Sequence, residues 1–141
     1  MNAGKPRILI VDDEPFYTDL LQNLLRDEYE IEVAVTGEEA LAKAAAEPPP
    51  ELILLDILLP DIGGYEVCRR LKSNAATCGI PVIFLTVKSD VDDEVRGFDL
   101  GAVDYITKPI SPPIVRARVR THIKLARTVQ QLEDVVARLK E

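Results

Sequence analysis

Residues 51–60 read E-L-I-L-L-D-I-L-L-P, and this stretch restricts the fold more than any other part of the chain. The apolar run of residues 52–55 is too short for a helix and lacks the alternation of a half-exposed strand. It fits a strand covered on both faces of a parallel sheet. Asp56 closes the run, an ionisable side chain among apolar neighbours, where such groups are rarely tolerated without a partner. Either Asp56 caps the end of a buried strand, or the rest of the chain brings a cation, a lysine and a hydroxyl to it.

The same pattern of apolar run and polar stop recurs along the chain. Ile8-Leu9-Ile10-Val11 breaks off at Asp12-Asp13-Glu14. Pro15 suits a first helical position, and Phe16, Leu20, Leu21, Leu24 and Leu25 follow at helical spacing. Ile31, Val33 and Val35 alternate as in a less deeply covered strand, and an alanine-rich helix opens at Thr36 or Gly37. Pro48-Pro49-Pro50 forbids its continuation. After Asp56, Pro60-Asp61-Ile62-Gly63-Gly64 is turn chemistry, and Tyr65, Val67, Cys68 and Leu71 form a helical stripe. Residues 81–85 make a fourth strand closing on Thr86. Lys88-Ser89-Asp90 then leads into a helix carrying Val91, Val95, Phe98 and Leu100, which Gly101 stops. Residues 102–106 form a fifth strand, followed by Thr107-Lys108-Pro109. Five strands alternating with helices predict an α/β fold, a doubly wound parallel sheet built from right-handed βαβ units.

The last helix is longer than such a fold needs. From Ser111 or Pro112 the pattern runs unbroken to Glu141, about 42 Å at the rise of an α-helix. His122, Leu125, Val129, Leu132, Val136 and Leu139 fall at heptad a and d spacing. The part up to about Leu125 is expected to pack on the domain. Beyond Arg127 a linker helix or coiled-coil seam is expected, through which two copies would form a homodimer.

The length of 141 residues suits one domain with its own core. A net charge of −7 disfavours nucleic acid and anionic membrane surfaces as direct partners. Cys68 and Cys78 form no metal-thiolate arrangement. The apolar run near the N-terminus is too short for a signal-peptide core or a membrane span, which predicts a cytoplasmic protein.

In open parallel sheets, ligands bind at the carboxyl ends of the strands. The polar groups of this chain stand at those ends: Asp12 and Asp13 after the first strand, Asp56 after the third, Thr86 after the fourth and Lys108 after the fifth. Three carboxylates gathered in a cleft repel unless a cation neutralises them. Oxygen-only ligands with room for water suit Mg²⁺, or Mn²⁺ in its place. With a hydroxyl and an ammonium facing the same point, the chemistry expected is phosphoryl transfer to an aspartate.

On these residues the chain resembles a bacterial two-component response-regulator receiver domain. The resemblance covers residues 6–127 and rests on Val11-Asp12-Asp13-Glu14-Pro15, Leu54-Leu55-Asp56 with Pro60 and Gly64, Leu85-Thr86, and the segment from Gly101 to Pro109. It implies a flavodoxin-like (βα)5 sheet of order 2-1-3-4-5, with residues 128–141 as a helical extension. It also implies that Asp56 takes a phosphoryl group from a phosphohistidine on a sensor histidine kinase or phosphotransfer protein, or from a small phosphodonor. Asp13, Asp56 and the backbone carbonyl of Leu58 would hold Mg²⁺, with Asp12 acting mainly through metal-bound water. Thr86 and Lys108 would bind phosphoryl oxygens, Tyr105 would be the switch aromatic that follows Thr86, and the Lys108–Pro109 bond would be cis. The chain would then be a signalling switch that catalyses only its own phosphorylation and dephosphorylation.

Some positions depart from the family pattern. Leu59 and Gly63 stand where a methionine and an acidic residue are usual, and Val87 replaces the small residue usual after Thr86. Leu58 and Lys88 occupy the two positions that tune autodephosphorylation, and an apolar Leu58 cannot position an attacking water. A long-lived phosphoryl group is therefore expected. Two other classes share parts of the pattern. A flavodoxin-like FMN carrier needs hydroxyl and glycine donors where Asp12-Asp13-Glu14 would repel phosphate. A haloacid-dehalogenase-type phosphatase needs a second Asp at the position of Leu58. The output is not legible. The segment from Val115 to Arg120 resembles receivers fused to diguanylate cyclases, cyclic-dinucleotide phosphodiesterases or histidine kinases, which leaves a stand-alone receiver or an input module.

Overall fold

The computed structural model describes residues 4–87 and 91–140, with residues 91–94 as backbone only. Strands β1 (Arg7–Val11), β2 (Glu30–Ala34), β3 (Leu52–Asp56), β4 (Val82–Thr86) and β5 (Asp104–Thr107) alternate with helices α1 (Pro15–Leu25), α2 (Gly37–Ala44), α3 (Gly64–Lys72), α4 (Val91–Asp99) and α5 (Pro112–Leu139). All strand pairs are parallel, in the order β2-β1-β3-β4-β5. This is the doubly wound sheet that the alternation predicts.

The non-alternating runs are explained by the two cores. Ile8, Ile10, Leu52, Leu54, Ile83 and Leu85 face Leu21 and Leu25 of α1 and Val115, Val119 and Ile123 of α5. Their neighbours Leu9, Val11, Ile53, Leu55, Val82 and Phe84 face α2 and α3, against Ala40, Ala44, Val67, Cys68 and Leu71. Successive strand residues point to opposite faces, so a strand buried on both sides must be apolar throughout. β3 lies at the centre, between β1 and β4, and all five of its residues are buried, Asp56 included.

Some local expectations shift. Val35 lies outside β2 and is exposed, because its backbone N–H donates to Glu39 Oε1 at 2.8 Å while Thr36 caps α2 by accepting from Glu39 N–H. Phe16 leaves the stripe of α1 and is 70% exposed. Val95 and Phe98 of α4 are half-exposed. Gly101 does stop α4: its φ of +106° suits glycine, and the Ala102 N–H reaches back to the Gly97 carbonyl. Lys88, Ser89 and Asp90 lie outside the described residues.

α5 runs for 28 residues. Its buried positions end at Ile123, and Arg127 is the last side chain tied to the sheet end, through a two-pronged contact with Glu51 at 2.8 and 3.0 Å. Among the described residues no helix is long and apolar enough to cross a membrane.

Candidate functional site

Each polar group singled out above stands where its strand ends. Asp12 follows β1, and its backbone N–H donates to the Ala34 carbonyl, so the turn continues the sheet for one more bond. Its Oδ1 accepts from the Glu14 N–H at 2.9 Å, which curls the acidic loop into the start of α1. Asp56 is the last residue of β3, and its Oδ1 accepts from the Leu58 N–H at 3.2 Å. α3 packs directly on this turn. The Gly64 N–H donates to the Ile57 carbonyl at 2.8 Å, and a Cβ on Gly64 would collide with the Asp56 carbonyl. Glycine at this position is therefore dictated by close backbone approach.

Lys108 crosses from the far side of the sheet. Its side chain is buried, with Nζ 2.8 Å from Asp12 Oδ2 and 3.4 Å from both Asp56 Oδ2 and Glu14 Oε1. The ammonium also lies 4.2 Å from the centre of the Tyr17 ring. Lys108 N–H donates to the Thr86 carbonyl, which ties the lysine's backbone to the end of β4, and the Lys108–Pro109 bond is cis. Glu47–Pro48 is cis as well.

Asp12, Asp13, Glu14 and Asp56 each offer one oxygen, and these oxygens lie within 4.8 Å of one another. Asp12 and Asp56 are buried, whereas Asp13 and Glu14 face solvent. Asp12 Oδ2 is sealed from water and accepts no well-aligned hydrogen bond, although Lys108 Nζ is close. An oxygen-only cluster with a buried lone pair to spare fits a hard divalent cation that keeps part of its water shell.

The electrostatics follow from this crowding. Burial pushes the Asp56 carboxyl up to about 6, with the neighbouring Asp12 charge adding to the effect and Lys108 opposing it. For Lys108, burial disfavours the charged form, but Asp12, Asp56 and Glu14 outweigh it and raise its pKa. The lysine therefore stays an ammonium.

Beside this cluster a cleft of about 220 Å³ is lined by Glu14, Asp56, Leu58, Thr86, Val87 and Lys108, among others. Leu58 is 70% exposed and Val87 63%, so the lip of the cleft is apolar. Thr86 pairs in register with Thr107 at the ends of β4 and β5. Tyr105 is buried rather than at the lip: its ring packs on Phe84 and edge-on against Phe98, and it closes on Gly97 of α4.

Three contributors were not singled out from sequence. Glu14 joins the carboxylate cluster, and the D-D-E run was the available signal. Tyr17 covers the Lys108 ammonium, a contact for which only the helical turn between Asp13 and Tyr17 gave a hint. Asp61, read only as a turn residue, accepts from the Gly37 and Glu38 N–H groups at 2.7 and 2.9 Å and so caps α2 from the loop after Asp56. Nothing in the sequence pairs residues 24 positions apart.

Fold and site together define an open α/β protein with a buried carboxylate and a lysine at the switch point of its sheet. The chain belongs to the response regulator receiver domain family, whose model matches residues 8–120. It is 47% identical over 121 residues, 86% of its length, to a Vibrio cholerae protein named as a probable cyclic di-GMP phosphodiesterase, of which it covers 27%. It is 46% identical over 119 residues to the alkaline phosphatase synthesis transcriptional regulatory protein PhoP of Bacillus subtilis, covering 84% of this chain and 48% of that one. Among solved structures, a CheY-like response regulator receiver domain protein from Methanospirillum hungatei superposes with a TM-score of 0.81 at 31% identity, covering 88% of this chain and 98% of the other. The chain thus spans half or less of these two curated relatives and nearly all of the isolated receiver. It is a receiver of the kind used in bacterial two-component signalling.

Proposed function

We propose that Asp56 is the phosphoacceptor of this receiver, with residues 6–127 forming the receiver body and residues 128–141 a helical extension. The observation that carries this reading is the placement of a buried carboxylate beside a buried ammonium at the edge of an open cleft. An Asp56 oxygen attacks the phosphorus of a phosphohistidine on a sensor kinase or phosphotransfer protein. The P–N bond breaks as the P–O bond forms; the electron pair stays on the ring nitrogen, and the ring leaves as neutral imidazole because its other nitrogen carries a proton taken from solvent. Asp12, Asp13, Asp56 and the Leu58 carbonyl would hold Mg²⁺ or Mn²⁺, with Glu14 at hand, and the cation supplies charge neutralisation for the incoming phosphoryl oxygens.

Lys108 pairs with one phosphoryl oxygen and, being already charged, needs no protonation step. The Thr86 hydroxyl donates to another. Drawing Thr86 toward the phosphoryl group changes the packing of Tyr105 and α4, which alters what partners or an output domain meet. The chain works in the cytoplasm, where kinases and Mg²⁺ are available. It turns over no separate substrate, and neither nucleic acid nor membrane is a direct partner. The relatives' own outputs, transcriptional regulation or phosphodiesterase activity, would belong to segments beyond the matched region.

The test is phosphorylation by acetyl phosphate with Mg²⁺, read by intact mass, alongside beryllofluoride binding. One phosphoryl group per chain is expected, with uptake abolished by Asp56→Asn. Turnover of a phosphomonoester, or uptake that persists in the variant, would refute the reading. The apolar lip predicts a phosphoryl lifetime well beyond seconds, and Leu58→Asn should shorten it by about tenfold by letting water be held for attack.

A further inference from the structure

We propose that a second copy of this chain pairs with α5 in a parallel, in-register, two-stranded coiled coil over residues 125–139. Leu125, Val129, Leu132, Val136 and Leu139 are all exposed, from 45% at Val129 to 80% at Leu139. They line one side of the helix, and Val129, Leu132 and Val136 flank a shallow apolar groove bounded by Glu133 and Lys140. His122, which shares the heptad spacing, is not available to that seam. Its Nε2 lies 2.9 Å from Asp104 Oδ2 on β5, so the seam starts one layer later than the spacing alone indicates.

From Leu132 to Leu139 the helix presents this seam away from its own domain. Arg127 occupies heptad position f, diametrically opposite the a and d positions, and Glu51 holds its guanidinium with two contacts. On the same outer side, Gln130 donates to Asp134 at 3.0 Å, one helical turn on. The side opposite the seam is thus occupied by the Arg127–Glu51 ion pair and a polar contact within the helix, and the apolar side is left over. The seam also continues into a groove of about 300 Å³ lined by Leu125, Val129, Val103 and Pro81, which gives the second helix room to begin beside the domain.

The residue types select the occupant. Valine at both a positions and leucine at all three d positions is the combination that favours two parallel strands over higher assemblies. The flanking positions agree. In a parallel pair Glu133 faces Thr128 of the second copy and Lys140 faces Val135, with no like charges opposed. An antiparallel pair covering the same residues sets Glu133 against Glu133 of the other copy near the centre. Fewer than three heptads make a short seam, so the dimer should dissociate on the order of micromolar to tens of micromolar rather than be permanent.

Sedimentation of the full chain from about 1 µM to about 1 mM spans that range, and it should show mass rising from monomer to dimer. Leu132→Glu should weaken association at least tenfold while leaving the far-ultraviolet spectrum and melting of dilute protein unchanged. A monomer throughout, or a dimer indifferent to Leu132→Glu, would overturn the proposal. Direction is tested with Leu139→Cys in a Cys78→Ser background. Rapid self-cross-linking is expected, and none for Asp134→Cys on the outer face. A dimer that fails to cross-link at position 139 would overturn the parallel register.

Discussion

The carboxyl end of the sheet hides charge, whereas the last half of α5 shows apolar side chains to water. Asp12, Asp56 and Lys108 are all at least 96% buried, in a place where an uncompensated ion costs several kcal/mol. Some 20 Å or more along a helix of this length, Leu132 and Leu139 are mostly exposed. Each region breaks the ordinary rule of burial in the opposite sense. We propose a cation and a phosphoryl group as ligands of the first and a second apolar helix as partner of the second. The hydrophobic cores between them, by contrast, are complete.

The largest effect is expected at Lys108. Lys108→Ala leaves Asp12 and Asp56 buried without their cation, and should lower the unfolding free energy by about 3 kcal/mol in urea without divalent metal. A loss below about 1 kcal/mol would mean that water, not the lysine, already balances those charges. The next effect has the opposite sign. The Asp56 pKa rises from 3.8 to about 6 on folding, so the folded state keeps its proton where the unfolded state loses it. That contribution is full below the unfolded value and is lost as pH rises through the folded one. Asp56→Asn should therefore gain on the parent by about 2 kcal/mol between pH 4 and pH 7. Chemical denaturation at a series of pH values would show the gap widening, and a constant gap would sink the account.

Within α5 the contrast is smaller and cleaner. Val119 is fully buried against the sheet, and Val119→Ala should cost about 2 kcal/mol through lost burial and the cavity left behind. Leu132→Ala, in dilute monomer, should cost less than about 0.5 kcal/mol. Equal losses at the two positions would show that the tail packs on something within its own chain.

Much of this was legible in the residues. The runs at Ile8, Leu52 and Val82 specify strands buried on both faces, and their polar stops name Asp12, Asp56 and Thr86. Periodicity also reveals α5 and its seam, since heptad spacing is a property of sequence. Less legible were contacts between distant residues whose types are ordinary. Glu14 belongs with the carboxylates because the Asp12 side chain folds the loop back onto it. Tyr17 matters because α1 begins beside the point that Lys108 reaches, and Asp61 because the loop after β3 passes the start of α2. Phe16 and Val35 left their expected places because capping and helix orientation override periodicity at the ends of elements.

By itself the sequence determined the element order, the faces of the strands and the residue types at the carboxyl ends, because those depend on local pattern and composition. Only the tertiary structure decided that Lys108 sits between Asp12 and Asp56, that Gly64 must lack a side chain, and that His122 turns to Asp104 instead of joining the seam. These outcomes depend on distances between segments that the chain brings together only when the sheet closes in the order β2-β1-β3-β4-β5.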